Sequence, residues 1–259
     1  MKSNLVNNQP WLITLLTLFP EMFPGSLGHS LAGKALADGI WNYQTIDIRK
    51  HAINKHGTVD DKPYGGGTGM LMRPDAVGPA IDEALEHPMK PHLIYLTPRG
   101  KVFDQNLAYQ LINRPHVAIL CGRFEGIDAR LLAEYPCEEI SLGDFVLSGG
   151  EPAALCMLDA CIRLLPGVIQ SSEALGEESF VSSGQLSGLL EYPHYTRPPV
   201  WKDHPVPDVL VSGNHAAIAK WRLEQAQQIT ALRRPDLWQH YQEKQAGENK
   251  KNNENKKKK

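Results

Sequence analysis

The chain has 259 residues, 42% of them hydrophobic, which is enough for one large domain or two ordinary ones and is unlike a disordered protein. Its formal net charge is −2, but the lysine-rich residues 246–259 carry +4, so that the preceding body carries −6. An acidic body excludes a protein that binds RNA through bulk positive charge, and any RNA contact must use a local basic surface.

The cysteines and the N-terminal sequence indicate in which cellular compartment the protein is expected. No two cysteines have the Cys-x-x-Cys spacing of a zinc or redox site, so we predict no metal site and four buried free thiols, at Cys121, Cys137, Cys156 and Cys161. The first apolar run, residues 11–19, is too short to cross a bilayer, and no signal peptide precedes it. We therefore expect a cytoplasmic protein without a membrane partner.

Short apolar runs alternate with helical patterns over the first 165 residues. After an N-terminal extension at residues 1–10, strands are predicted at 11–19, 43–48, 92–96, 117–121 and 139–142. Helices are predicted at 27–38, 74–86, 105–113, 127–133 and 152–165. Asp104 occupies the N-cap position of the third helix. This alternation is typical of an α/β layer with a mainly parallel sheet.

The composition changes after Pro166-Gly167, which is predicted to stop the last of these helices. The α/β domain is therefore assigned to residues 11–167, and the Ser-, Gly- and Glu-rich residues 168–190 to a linker. Residues 191–245 are predicted to be a small helical domain, and residues 246–259 a disordered lysine-rich tail. Within the helical domain, Asn214 is expected to cap a helix at 215–232, and Pro235 to open a second helix.

Three of the predicted strands are followed by glycine-rich loops, at residues 97–100, 121–126 and 142–151. Ligands of open α/β sheets bind outside the carboxyl ends of the strands, and glycine lets a ligand approach the backbone closely. Three such loops predict a nucleotide-like ligand held by main-chain groups. A fourth cluster, at 64–70, lacks the Lys-Ser/Thr ending of a phosphate-binding loop and is interpreted as a flexible flap that touches a substrate.

Charged residues near these loops are candidates for proton transfer and anion contact. The candidate carboxylates are Glu125, Asp128, Asp144, Glu151, Glu177 and Glu178, and the candidate cations are Arg99, Arg123 and Arg163. Arg163 interrupts an apolar helix, and composition leaves open whether it reaches solvent or meets an anion. Residues 194–199 combine aromatic, cationic and proline residues, which suits either RNA contact or a rigid linker.

A resemblance extends this interpretation. The motifs that carry it are, in chain order, LFPEMF, TVDDKPYGGGTGMLM, IYLTPRG, CGRFEGID, SLGDFVLSGGE, PHYTRP and LVSGNHA. In this combination the chain resembles the bacterial tRNA (guanine-37-N1) methyltransferases of the SPOUT superfamily, over about residues 11–237. The resemblance implies a SPOUT-type, mainly parallel α/β sheet with a deep C-terminal trefoil knot, followed by a small helical tRNA-binding domain.

The resemblance also implies a ligand and partners. S-adenosyl-L-methionine would lie in the knot loops, and the partners would be a tRNA with guanosine at position 37 and a second copy of the chain, with active sites at the homodimer interface. A Mg²⁺ requirement is left open. The residues implied to contact the cofactor are Tyr95, Leu96, Thr97, Pro98, Gly122, Phe124, Glu125, Gly126, Ser141, Leu142, Gly143, Asp144, Phe145, Val146, Leu147, Gly149 and Gly150.

Catalytic roles follow from the same likeness. Glu178, in Glu178-Ser179-Phe180, matches the family's general base within an Asp-Ser-Phe context, with Glu177 as the neighbouring alternative. Arg163 matches the arginine that stabilises charge on the guanine. The residues implied to contact substrate are Asp61, Tyr64, His194 and Arg197.

The chain departs from the family pattern at three places. Glutamate replaces aspartate at position 178, residues 181–187 lengthen the linker, and phenylalanine replaces tyrosine at Phe124 and Phe145. Two alternatives to an active methyltransferase stay open: a non-catalytic RNA-binding relative that has lost the base, which only Glu178 favours, and a nucleotide hydrolase that uses the glycine loops.

Overall fold

A computed structural model describes residues 9–169, 176–181 and 183–257, with side chains described as far as residue 247. The chain divides into two compact units, Met1–Gln170 and Ser171–Lys259. None of the described helices is long and apolar enough to cross a membrane. The predicted extension at residues 1–8 and part of the predicted linker, residues 170–175 and 182, lie outside the described residues.

A five-stranded sheet forms the centre of the first unit. Its strands run in the order β2-β1-β6-β5-β7, and every pair is parallel. A separate antiparallel pair is formed by β3 and β4. The strand bounds are β1 Trp11–Thr17, β2 Trp41–Asp47, β3 Asp60–Asp61, β4 Leu71–Met72, β5 His92–Val102, β6 His116–Leu120 and β7 Glu138–Ser141. The expected α/β class with a mainly parallel sheet is confirmed.

Five α-helices accompany these strands in the described part of the first unit. Their bounds are α1 Ser30–Ala37, α2 Pro74–Leu85, α3 Gln105–Leu111, α4 Ala129–Glu134 and α5 Gly150–Ile162, with short 3-10 turns at Pro20–Met22, Gly25–Gly28 and Ile48–His51. All five residues of β6 are buried, because it lies in the middle of the sheet with helices packed over it. One hydrophobic cluster joins the sheet to α2, including Leu16, Ile81 and Leu120.

Local capping chemistry sets several of these boundaries. The Asp104 carboxylate accepts a hydrogen bond from the Leu107 N–H at 2.7 Å, which confirms the predicted N-cap of α3. The end of α5 predicted at Pro166-Gly167 lies too far along the chain. The helix ends at Ile162 with Arg163 as its C-cap, and a tighter turn follows before Pro166 is reached, because the Leu165 N–H bonds back three residues to the Ile162 carbonyl.

The described cysteines differ in exposure. Cys121 and Cys161 are buried as expected, but Cys137 is half-buried and Cys156 is exposed on the outer side of α5. Burial raises the pKa of Cys161 to about 12 and raises the pKa of Cys121 well above its ordinary range. These buried thiols stay protonated and are not nucleophiles.

The second unit contains a short hairpin and three helices among its described residues. The bounds are β8 Val200–Trp201, β9 His204–Pro205, α6 Asp208–Val211, α7 His215–Arg233 and α8 Pro235–Lys257. Its small core consists of Leu186, Leu189, Tyr192 and Ala226, with Trp238 packed against it. The Asn214 side chain caps α7 by accepting from the Ala217 N–H at 3.1 Å, as predicted.

The C-terminal helix reaches into the segment that was expected to be a disordered tail, and that expectation stays a prediction. Helix α8 begins at Pro235, as predicted, and continues as helix to Lys257. Its first turns are anchored by Trp238, which packs against the small core of the second unit.

Candidate ligand cavity and active-site residues

A cavity of about 550 Å³ opens where β5, β6 and β7 end, within the size range of small-ligand sites. Its walls are the three glycine-rich loops singled out in the sequence. Every residue expected to contact the cofactor lines this cavity except Asp144. The parallel sheet explains the convergence, because its strands all end at the same edge.

The first loop, residues 97–100, is a bulge within β5 rather than a separate connection. Ile140 of β7 lies opposite both Leu96 and Lys101, so the four residues between them leave the ladder, and three of them, Thr97, Pro98 and Arg99, line the cavity. The bulge needs glycine at position 100, since a Cβ there would lie 2.3 Å from the Ile140 backbone nitrogen. The periodicity of the sequence could not reveal the bulge, because residues 92–96 look like a strand and the residues after them look like a loop.

The second and third loops pack backbone against backbone. The Gly150 N–H donates a 2.8 Å hydrogen bond to the Gly122 carbonyl, and Arg123 and Gly149 form an isolated antiparallel bridge. A Cβ on Gly150 would lie only 2.7 Å from the Cys121 Cα. This contact brings the segment after β7 back to the loop after β6, and glycine is what permits it.

A buried charged network holds the same two loops together. Glu151 is fully buried and accepts a 2.7 Å hydrogen bond from the Thr17 hydroxyl. Arg123 Nε lies 2.8 Å from the second Glu151 oxygen, as an ion pair that lacks the alignment of a hydrogen bond. The Arg123 guanidinium also lies 4.4 Å from the centre of the Phe19 ring and donates to the Ser148 carbonyl at 3.3 Å. Arg123 and Glu151, both candidates from the sequence, are thus engaged with the fold and with each other.

Large side chains lie both at the floor and at the mouth of the cavity. Tyr95 is buried beneath the second loop, and a Cβ on Gly122 would lie 3.0 Å from its ring. Burial raises the Tyr95 pKa, so the phenol stays neutral. At the mouth, Phe124, Phe145 and Val146 are exposed by 51%, 53% and 86%. Large apolar side chains left in solvent beside a cavity indicate a surface that a ligand or partner covers.

The expected catalytic pair is divided between the two units. Arg163 lies in the first unit, half-buried at the C-terminal end of α5, and Glu178 lies in the second unit, half-buried. Neither lines the cavity described above. The expected substrate contacts are divided in the same way, with Asp61 and Tyr64 in the first unit and His194 and Arg197 in the second.

The flap residues are accessible. Tyr64 is 99% exposed, and Asp61 lies on β3 with one oxygen 3.4 Å from Arg73 Nη1. Arg73 is held more closely by Asp75, and this hydrogen bond lowers the Asp75 pKa. Both expected contacts can therefore be reached by a large substrate.

The second unit carries exposed aromatic and cationic groups between residues 195 and 202. Trp201 is 60% exposed and Tyr195 is 49% exposed, and the Lys202 ammonium lies 4.7 Å from the centre of the Trp201 ring. Lys202 and Asp203 both have positive φ, 46° and 64°, which closes the β8-β9 hairpin tightly. A short, tightly turned hairpin thus presents an aromatic face and a positive charge together.

Sequence reasoning missed part of the cavity wall. Five further residues line it through apolar side chains or backbone: Leu71, Ile127, Ala129, Ile140 and Ala153. No local signal marks them, because apolar wall residues look like core residues in a sequence. Among the described residues, no group of three or more histidine, cysteine or acidic side chains could hold a metal ion.

The fold and cavity define an α/β protein with a ligand-sized cavity at the carboxyl edge of a parallel sheet. The particular family follows from comparison with known proteins. The family model for tRNA (Guanine-1)-methyltransferase TrmD matches residues 11–240, so the chain belongs to this family of enzymes. The family is a member of the SPOUT group. The family predicted from the motifs is confirmed.

Curated relatives agree over nearly their whole length. The chain is 57% identical to the tRNA (guanine-N(1)-)-methyltransferase of Wolbachia sp. subsp. Brugia malayi over 225 residues, which cover 87% of this chain and 94% of that protein. It is 55% identical to the protein of the same name from Rhodospirillum rubrum over 227 residues, covering 88% and 92%. The protein so named from Novosphingobium aromaticivorans is 56% identical over 229 residues, covering 88% and 91%.

Proposed function

We propose that this protein transfers a methyl group from S-adenosyl-L-methionine to N1 of guanosine at position 37 of tRNA. The observation that carries the proposal is the cavity formed by three glycine loops at the edge of the sheet, in a chain of the tRNA (guanine-1) methyltransferase family. The names of the relatives state guanine-N1 methylation of tRNA. Position 37 and the cofactor are expectations from the resemblance.

The residues of the cavity fit the proposed cofactor. S-adenosyl-L-methionine, when bound, supplies an electrophilic methyl group on a sulfonium. Gly122, Gly149 and Gly150 let the loops around the cavity pack closely, since a Cβ on each would meet other atoms of the protein at 3.0 Å or less. Backbone groups of residues 142–147 would hold the adenine, and the apolar Phe145 and Val146 would cover it.

The reaction needs a base and a cation. N1 of guanine carries a proton and is a poor nucleophile until that proton is removed, which is the role we propose for the Glu178 carboxylate. Negative charge then grows on O6 of the base, and we propose that the Arg163 guanidinium stabilises it. The guanine must leave its stack to reach both groups.

The proposed tRNA surface lies on the second unit. Its exposed Tyr195, Trp201 and Lys202 offer stacking and a positive charge, and we propose that His194 and Arg197 contact the substrate beside them. This local surface meets the requirement set by the acidic body.

We further propose a homodimer and a trefoil knot. The cavity and Glu178 lie in separate units, and the apolar mouth of the cavity is exposed in a single chain, which supports a site completed by a second copy. The hydrogen bond from Gly150 to Gly122 returns the chain after β7 to the loop after β6, as threading requires. A Mg²⁺ requirement and a cytoplasmic location, where tRNA is found, stay predictions.

The test is single-turnover transfer of a labelled methyl group to unmodified tRNA transcripts with guanosine or adenosine at position 37. We expect transfer to the first and none to the second. Transfer to both would refute the assigned position. Binding of S-adenosyl-L-methionine without any transfer would favour the non-catalytic relative, and ATP binding with turnover would favour the hydrolase.

Two variants test the assigned roles. Glu178→Gln should keep cofactor binding and lower transfer by about 100-fold or more, the scale of a lost general base. Arg163→Ala should lower transfer more than it weakens cofactor binding. Near-wild-type transfer by Glu178→Gln, or a parallel loss of transfer and cofactor binding in Arg163→Ala, would show that the role had been assigned to the wrong residue.

A further inference from the structure

The segment that carries Glu178 is fastened to the small core of the second unit. The Ser179 hydroxyl accepts a 3.0 Å hydrogen bond from the Glu191 N–H. The Phe180 N–H donates to the Leu189 carbonyl at 3.3 Å. Leu189 is fully buried in the core, so these bonds fix the chain on the C-terminal side of Glu178.

Glu177 makes the corresponding attachment on the N-terminal side. Its Oε2 accepts a hydrogen bond from the Tyr192 hydroxyl at 2.5 Å and a second from Arg222 Nη1 at 3.2 Å. The Arg222 guanidinium carbon lies 4.8 Å from the centre of the Tyr192 ring. One carboxylate oxygen is thus gripped by a phenol and a cation that also contact each other.

Both partners are firmly placed. Tyr192 is only 5% exposed and belongs to the core, and Arg222 lies on the long helix α7. Burial, with the hydrogen bond to Glu177 as the next cause, raises the Tyr192 pKa to about 12. The phenol therefore stays protonated, and remains a donor, throughout the pH range of a methyl-transfer assay.

From these contacts we propose that Glu177 is a positioning residue, which with Tyr192 and Arg222 holds the backbone of Glu178 in place for proton removal. The inference rests on the proposed function and divides the two adjacent carboxylates between two roles. The Glu177 carboxylate is bonded to Tyr192 of the small core, and the segment on the other side of Glu178 is bonded through Ser179 and Phe180. The sequence alone left Glu177 open as an alternative base.

Such positioning matters because a general base acts only within hydrogen-bond reach of the proton, and a displacement of about 1 Å can cost about 100-fold in rate. Stability should change little. The Glu177 and Arg222 side chains are 56% and 39% exposed, and exposed ion pairs contribute little to folding. Loss of the attachment should therefore lower the rate without unfolding the protein.

The experiment measures single-turnover methyl transfer at saturating S-adenosyl-L-methionine and tRNA, with dissociation constants for both and the pH dependence of the rate. Glu177→Ala should lower the rate about 10- to 100-fold, and Tyr192→Phe by a smaller factor because Arg222 still grips the carboxylate. Glu177→Gln keeps an acceptor oxygen and should recover most of the rate. Both dissociation constants and the apparent pKa of the rate profile should stay unchanged.

Tyr241→Phe is the matched control. Tyr241 packs against the same small core, and its hydroxyl accepts from Gln227 at 3.1 Å, away from the Glu178 segment. We expect this variant to keep the wild-type rate. A fall equal to that of Tyr192→Phe would mean that loosening of the unit as a whole, rather than loss of the attachment, lowers the rate.

Three outcomes would overturn the inference. If Glu177→Gln is as slow as Glu178→Gln, Glu177 is itself part of the chemistry. If Glu177→Ala and Tyr192→Phe both react at the wild-type rate, the attachment does not position the base. If Glu177→Ala loses tRNA affinity in proportion to its rate, Glu177 acts in binding. A wild-type protein that methylates no tRNA would instead refute the proposed function.

Discussion

The buried pair of Arg123 and Glu151 offers a sharp test of how the cavity is held together. We consider Arg123→Met, which keeps a long side chain over Phe19 and removes the charge. Glu151 is fully buried, and in the variant it would keep only the Thr17 hydroxyl as a partner. A carboxylate left buried beside one neutral donor is strongly destabilising.

The expected loss can be estimated from the burial of the two partners. Removing one member of a buried pair costs about 3–5 kcal/mol, and since the Arg123 side chain is 17% exposed we expect the lower end, about 3 kcal/mol. For a chain of this size each kcal/mol lowers the melting temperature by about 2–4 °C, so the expected fall is about 6–12 °C. Adding Glu151→Gln should recover at least half, because the amide can still accept from Thr17.

The assay is thermal and urea unfolding of the two single variants and the double variant, with Arg130→Met as the control. Arg130 pairs with Asp128, but its side chain is 72% exposed, so its loss should lower stability far less than the loss of Arg123. If Arg123→Met melts within about 2 °C of wild type, or the second substitution recovers nothing, the pair does not hold the loops together.

Three further predictions concern other parts of the molecule. His116 is buried between Thr14 and a backbone carbonyl, and burial, the largest cause, lowers its pKa. As the pH falls, His116 therefore takes up a proton in the unfolded chain before it does so in the folded chain. The free energy of unfolding should be at its full value above about pH 6.5 and should fall as the pH drops below it. His116→Asn should weaken this pH dependence in urea titrations. Gly150→Ala would place a methyl group 2.7 Å from backbone just after β6, and should lower both melting temperature and S-adenosyl-L-methionine affinity. Gly247→Ala, where an added methyl group would meet nothing within 4 Å, should lower neither, and an equal loss in both variants would remove the steric explanation. Trp201→Ala should weaken tRNA binding about 5-fold or more, because a stacking contact with a base is lost. Leu232→Ala, at an exposed apolar position on α7, should leave tRNA binding unchanged. Unchanged binding by Trp201→Ala would exclude the hairpin from the RNA surface.

Local features of this chain were readable in its sequence because their causes are local. The alternation of apolar runs with helical patterns predicted the α/β class, and Asp104 and Asn214 predicted helix starts through hydrogen bonds spanning three residues. The glycine loops predicted a ligand edge, since only glycine tolerates the backbone approach that such a site requires. Motif likeness then identified the family.

Local pattern was less reliable where an element's end depends on its neighbours. The bulge in β5 exists because Ile140 of another strand pairs with residues on both sides of it. Helix α5 ends before Pro166 because a tighter turn intervenes. In each case the interaction that sets where the element ends is one that the composition of the segment does not show.

The sequence by itself determined the class of fold, the positions of the glycine loops and the family to which the chain belongs. Only the tertiary structure decided which of the charged candidates meet. Arg123 reaches Glu151 because β6 lies inside the sheet and α5 returns to it, and Glu177 finds Tyr192 and Arg222, 15 and 45 residues away. Such pairings depend on strand order and helix packing, which bring together residues that no periodicity relates.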